Sequence, residues 1–123
     1  MNLLLDTHVL LWWVQGATIS DQAQAAIANP NNIAYVSAAS IWEISIKRAR
    51  GKLRVDEAIF DMEKEKFEPL SITHAHAQKA GSLPDFHRDP FDRMLIAQAL
   101  THELLLVTRD PRMELYSTQI LLA

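Results

Sequence analysis

Four acidic residues stand at positions where an α/β chain would bring side chains together. Asp6 directly follows the apolar run Leu3-Leu4-Leu5, and Glu43 lies in the segment after Ile33-Ala34-Tyr35-Val36. Asp92 opens the segment before Leu104-Leu105-Leu106-Val107, and Asp110 follows that run. An apolar run that stops at a carboxylate reads as a buried strand delivering an acid to the end of a sheet. If these strands are parallel, the four carboxylates converge. Carboxylates packed within a few ångströms repel one another in low dielectric and raise one another's pKa unless a cation sits among them. With no cysteine in the chain, thiolate metal sites, disulfides and cysteine nucleophiles are excluded. Oxygen ligands favour Mg²⁺ or Mn²⁺, which bind through one or two carboxylates together with water and phosphate oxygens. The reaction that fits is phosphodiester hydrolysis.

Each acid also has a plainer explanation. Asp6 could cap the helix that follows it. Glu43 could be a surface acid paired with Lys47 at i,i+4 spacing. Asp92, three residues after Asp89, favours a helix dipole whatever its function, and Asp110 before Pro111 is a common turn element. None of the four is decisive alone.

The elements that must position these acids follow from apolar patterning and punctuation. Asn2 to Asp6 reads as a strand, His8 to Val14 as a helix ended by Gly16, and Ser20 as the cap of a helix stopping at Asn29-Pro30. Ile33 to Val36 is a second strand, and Ser37 caps a helix from Ala38 to Arg50 in which Ile41, Trp42, Ile44 and Ile46 are buried and Glu43 and Lys47 are polar. A further amphipathic helix is expected over Val55 to Lys66, a short strand over Pro69 to Thr73, and a short helix from His74 to Gly81 with the glycine past its end. After a loop from Leu83 to Arg88, Asp89-Pro90 starts another helix. Leu104 to Thr108 is the clearest strand; one helical turn near Met113 to Tyr116 and a strand from Gln119 to Leu122 close the chain. Strands alternating with helices predict an α/β domain with a mainly parallel sheet covered on both faces. In such sheets, residues just beyond the carboxyl ends of the strands form the site.

The 123 residues suit a single domain spanning 1–123. A hydrophobic content of 49% with 22% charged residues is that of a globular protein and argues against disorder. The apolar start lacks a basic region and is interrupted by Asp6 and His8, which argues against a signal peptide or membrane segment and leads to a cytoplasmic expectation. A net charge of -3 gives no global attraction to nucleic acid, so polyanion binding would need a local basic patch or a cation.

The joint pattern carries more than its parts. Leu4-Leu5-Asp6-Thr7-His8, Ser40-Ile41-Trp42-Glu43-Ile44, Asp89-Pro90-Phe91-Asp92-Arg93-Met94-Leu95-Ile96-Ala97-Gln98-Ala99 and Val107-Thr108-Arg109-Asp110 occur in this order over nearly the whole chain. The chain resembles the PIN-domain ribonucleases, specifically the VapC-like toxins of toxin-antitoxin pairs. That resemblance implies a three-layer α/β/α sandwich and a Mg²⁺- or Mn²⁺-dependent endonuclease acting on single-stranded or loop RNA. It also implies a homodimer and a cognate antitoxin protein as partner. On the matching positions it makes Asp6, Glu43, Asp92 and Asp110 an acidic quartet, with Asp6 and Asp92 as direct metal ligands and Glu43 and Asp110 acting through water. Thr7 and Thr108, each beside a quartet position, are expected to support the carboxylates through hydroxyl hydrogen bonds. Asp89 could face the same cleft; the spacing to Ala99 favours Asp92, and Asp89-Pro90 already has a capping role.

Substrate contacts are less defined. Lys47 and Arg48 begin a basic stretch that runs on through Arg50, Lys52 and Arg54, and Arg88, Arg93 and Arg109 flank the other acids. These are candidate RNA contacts, set against the plainer reading of a solvated helix face. Trp12, Trp13 and Trp42 could stack on bases, although apolar neighbours at helical spacing favour core or dimer packing. His74 and His76 do not share a helix face, which argues against a metal site there, and His8, His87 and His102 are scattered.

Three rival readings exist. A haloacid-dehalogenase-like phosphatase wants a second aspartate two residues after the first, and that position is His8. A dinucleotide-binding domain lacks its glycine-rich turn after the first strand. A catalytically silent partner-binding domain would have no need to concentrate repelling acids.

Overall fold

The computed structural model describes residues 1–123. Five strands form one all-parallel sheet: β1 (Asn2–Leu5), β2 (Ile33–Ser37), β3 (Glu68–Leu70), β4 (Leu105–Thr108) and β5 (Ile120–Leu122). Their order is β3-β2-β1-β4-β5, with Leu4 aligned to Tyr35 on one side and to Leu106 on the other. The order reverses direction between β1 and β4, which is where an open parallel sheet leaves a crevice at its carboxyl end. Asp6 and Asp110 follow these two strands.

Six helices connect the strands: α1 (Thr7–Gln15), α2 (Asp21–Ala28), α3 (Ala38–Ala49), α4 (Met62–Glu65), α5 (His74–Ser82) and α6 (Pro90–His102). Alternation along β1 splits the core in two. Leu3 and Leu5 pack with Leu10, Ala23, Ile27 and Ile44 of α1, α2 and α3. Leu4 faces the other way, with Leu106 against Leu95, Ile96 and Ala99 of α6. This is the expected three-layer α/β/α sandwich, and two-sided burial explains why β1 and β4 read as unbroken apolar runs. No helix is long and apolar enough to cross a membrane.

Helix punctuation behaves largely as the residue types dictate. Asp6, Ser20, Ser37 and Asp89 cap α1, α2, α3 and α6, and Gly16 closes α1 with φ 71°, a left-handed conformation that glycine adopts without strain. Several expectations are corrected. The helix expected over Val55 to Lys66 is two short pieces, a 3-10 turn at Glu57–Phe60 and the single turn α4. Asp56 and Asp61 each accept a backbone N–H as a cap, so the segment restarts twice, and Lys66 ends it at φ 60°. The third strand lies at Glu68–Leu70, earlier than Pro69 to Thr73. Gly81 lies inside α5, which continues to Ser82 and ends at Leu83 because Pro84 forces its predecessor into extended backbone. The turn near Met113 is a 3-10 helix over Pro111–Tyr116.

Candidate active site

The site grows from two strand ends. After β1, the Asp6 N–H donates to Val107 O at 2.9 Å, which fixes the backbone of Asp6 against β4. Its side chain then caps α1: Oδ1 accepts the His8 N–H at 3.0 Å, while Oδ2 accepts the Thr108 hydroxyl at 2.7 Å. Thr108 Oγ1 in turn accepts the Asp110 N–H at 3.1 Å, so one hydroxyl couples the acids that follow both strands. Thr108 thus holds the Asp6 carboxylate by a hydroxyl hydrogen bond. Thr7, the first residue of α1, donates to Ser40 Oγ at 2.8 Å. That bond pins α3 against α1, and Glu43 stands one turn further along α3 on the same side.

The burial pattern of α3 keeps Ile44 inside as expected but departs from the sequence reading at Trp42 and Glu43. Ser40, Glu43 and Ile44 are buried, whereas Trp42 is 62% exposed and meets Phe91 edge-on at 5.3 Å. Glu43 Oε2 pairs with Lys47 Nζ at 2.9 Å, and its Oε1 is buried without a partner. On α6, Asp89 Oδ1 accepts the N–H groups of Phe91 and Asp92, which confirms its capping role and places Asp92 in the first turn facing the cleft.

Electrostatics separates the acids. Burial pushes the Asp6 carboxyl up, but the hydrogen bonds from His8 and Thr108 outweigh it and leave the pKa below 3.8. Burial, followed by the charges of Asp6, Asp89 and Glu43, drives the Asp92 pKa up to about 7. Asp110 goes the other way, down to about 2, because Arg112 forms hydrogen bonds to both its oxygens at 2.8–3.1 Å. Asp6, Asp92 and Asp110 line an open cleft of about 360 Å³ together with His8, Trp12, Arg109 and Arg112. A larger concavity of about 490 Å³ lies around Leu100, Glu103 and Gln119, at the opposite end of β4 and β5, away from these acids.

No three imidazole or carboxylate groups close on one point tightly enough to form a complete ligand shell. The donor set nevertheless suits a hard divalent cation: oxygen ligands only, a buried unpaired Glu43 oxygen, and an Asp92 carboxyl whose pKa is raised to about 7 by burial and then by its acidic neighbours. A cation among them would offset the repulsion that raises Asp92.

The basic residues divide by task. Arg93 spends four of its five N–H donors on the carbonyls of Ala80, Leu83, Pro84 and His87 at 2.8–3.1 Å, so it clamps the end of α5 and the following loop rather than facing a phosphate with a free fork. Arg48 donates to Val55 O and lies over the Phe60 ring; Arg109 donates to Ala123 O and Thr18 O and lies 3.9 Å from the centre of the Trp12 ring. Lys47 is held by Glu43. Arg88 is the freest of the five, its side chain 90% exposed.

Sequence reasoning passed over two residues. Arg112 chelates Asp110, and the Asp-Pro-Arg spacing was its only signal. His87, grouped with the scattered histidines, is 7% exposed, with Nε2 3.1 Å from Asp92 Oδ2 and 3.3 Å from Asp110 Oδ2. No local pattern marks it, because both acids it meets lie on other elements.

A parallel sheet in this order with acids at the β1 and β4 ends and along the flanking helices defines a nuclease-type α/β/α class, and the PIN domain family model matches residues 3–118. The chain belongs to the PIN-domain family. Within it, the chain is 31% identical over 117 residues to ribonuclease VapC22 of Mycobacterium tuberculosis, covering 91% of this chain and 89% of that protein. Solved structures share the fold. VapBC2 of Rickettsia felis bound to a DNA fragment from its promoter superposes with a TM-score of 0.75 at 14% identity, covering 98% of each chain. A toxin-antitoxin complex from Klebsiella pneumoniae gives 0.69 at 21% identity, covering 97% of this chain and 95% of that one. FitAcB of Neisseria gonorrhoeae gives 0.63 at 17% identity, covering 98% and 96%.

Proposed function

We propose that this chain is a Mg²⁺- or Mn²⁺-dependent endoribonuclease that cleaves single-stranded or loop RNA and acts as the toxin of a toxin-antitoxin pair. The observation that carries the reading is Asp92: a carboxyl half buried at the carboxyl end of the sheet, with a pKa near 7 raised by burial and by Asp6, Asp89 and Glu43. Burial of an acid among other acids is costly in a fold and is understandable where a cation is to be held. Asp6 and Asp92 would hold the ion directly, with Glu43 and Asp110 acting through water. When bound, the ion lowers the pKa of water and offsets charge developing on the scissile phosphate.

The protein's own groups do the rest. Thr108 fixes the Asp6 carboxylate, and Glu43, with one oxygen on Lys47 and one unpaired, can orient a water and take its proton. Arg112 lines the cleft and Arg88 stands in the loop just before α6, both with exposed guanidinium groups suited to phosphate oxygens. The antitoxin partner is supported by the similarity to chains from toxin-antitoxin complexes, and the homodimer is part of the same proposal. The test is cleavage of RNA by the purified protein with Mg²⁺, Mn²⁺ or chelator, alongside Asp6→Asn. Activity dependent on the ion and lost in the variant is expected. Cleavage that survives both chelation and the substitution overturns the reading.

A further inference from the structure

The loop between α5 and α6 contributes no acid to the quartet, yet it buries one titratable side chain, that of His87, against two of them. The backbone of this residue is held on both sides. Its N–H donates to the Tyr116 hydroxyl at 2.7 Å, and its carbonyl accepts Arg93 at 3.0 Å. The ring is equally constrained: Asp89 N–H donates to Nδ1 at 3.2 Å, so Nδ1 must offer a lone pair and the proton of the neutral ring must reside on Nε2. Nε2 lies 3.1 Å from Asp92 Oδ2 and 3.3 Å from Asp110 Oδ2, within reach of both. Arg112 lies 3.4 Å from the same nitrogen. Both groups are donors in this tautomer, so the approach reflects a shared acceptor, Asp110 Oδ2, rather than a bond between them.

We infer that His87 is a positioning residue of the acid cluster, its Nε2–H tying Asp92 of α6 to Asp110 beyond β4. The reason for such a tie lies in the fold. Asp6 and Asp110 are coupled through Thr108, and Glu43 is located by the Thr7 to Ser40 bond. Asp92 receives no such support from a strand: its own neighbours Asp6, Asp89 and Glu43 repel it. A neutral donor shared by Asp92 and Asp110 sets the spacing of the acid from the helix relative to the acid from the sheet without adding a competing cation. Partners that orient carboxylate ligands in this way are typically worth about 10–100-fold in metal affinity or activity. The inference rests on the reading of the cluster as a metal-dependent nuclease site.

The experiment compares the full chain with His87→Leu, which removes the donor, and His87→Gln, whose amide N–H reaches to a similar distance. Three measurements are made: RNA cleavage separated into kcat and KM, Mn²⁺ affinity by calorimetry without RNA, and the imidazole tautomer of the unsubstituted protein by ¹⁵N NMR. His87→Leu is expected to lower kcat and Mn²⁺ affinity about 10–100-fold with KM for RNA little changed, and His87→Gln to recover most of both. A folded His87→Leu with unchanged kcat and Mn²⁺ affinity overturns the inference, as does a Gln variant no better than Leu. If the unsubstituted protein neither cleaves RNA nor binds Mn²⁺, the nuclease reading fails on its own account. The spectrum still decides the geometry, because an Nδ1–H tautomer overturns the tie and an Nε2–H tautomer supports it.

Discussion

Helix α6 carries a buried histidine contact at each end, and the two are built alike. Near its C-terminus, Thr73 N–H donates to Nδ1 of His76 at 3.0 Å, which directs Nε2–H to His102 Nε2 at 2.7 Å. Near its N-terminus, Asp89 N–H donates to Nδ1 of His87, which directs Nε2–H to Asp92 and Asp110. In both places a backbone donor close in sequence selects the tautomer, and the far nitrogen joins two elements. At the C-terminal end the partner is another imidazole, and the result is a joint between α5 and α6. At the N-terminal end the partners are acids from two different elements. The same local device therefore serves packing at one end of the helix and chemistry at the other, and what decides is the charge of the acceptor.

The largest break in this symmetry is expected in catalysis. Asp92→Ala should reduce RNA cleavage by on the order of 10³-fold, whereas His76→Leu should leave turnover per folded molecule unchanged; equal losses in the two variants would dissolve the distinction. Stability should respond in the opposite order. Arg93→Ala strands one carbonyl at the end of α5 and three in the loop after it and should cost about 2–4 kcal/mol in chemical denaturation, and Arg93→Lys should not restore it because an ammonium cannot span the same carbonyls. His76→Leu leaves the Thr73 N–H and His102 without partners and should cost about 1–3 kcal/mol.

The smallest and sharpest test is the sign of the pH dependence without metal. Asp92 has a folded pKa of about 7, above its ordinary 3.8. The folded state therefore keeps a proton that the unfolded state releases, and stability falls as pH rises from about 4 to about 7. His76 is lowered from 6.5 by burial and by His102. There the unfolded state takes the proton first, so stability is lost as pH falls below 6.5. Denaturation across about pH 5 to 8 should show Asp92→Asn lacking the first slope and His76→Leu lacking the second. At the alkaline end Asp92→Asn should exceed the unsubstituted protein, and added Mn²⁺ should narrow that difference.

What could be read from sequence depended on how local the determinant was. Asp6 was legible because three leucines and one acid define a strand and its end within a few residues. Asp92 was legible because Asp89-Pro90 fixes where α6 begins and hence which residue sits in its first turn. Trp42 and Glu43 were misread in their burial, since hydrophobicity alone would turn the tryptophan inward. The Thr7 to Ser40 bond and the proximity to α6 turn Glu43 inward instead. The helix expected from Val55 was undone by two aspartates whose capping competes with helical continuation. His87 was out of reach because its meaning depends on residues from α6 and from beyond β4, and no periodicity records a loop that folds back over a helix.

That loop also bears on how the molecule opens. Irregular segments are ordinarily the first to come loose, each at little free-energy cost. From Leu83 to His87 the backbone is tied to one arginine of α6 at several carbonyls, and the Tyr116 hydroxyl both receives the His87 N–H and donates to Pro84 O. With several of these bonds closing on the same short stretch, the segment is expected to exchange its amide hydrogens together with α6, which hydrogen exchange would check. The rim that this segment gives the acidic cleft therefore takes its shape from α6 and Tyr116 more than from the loop's own residues.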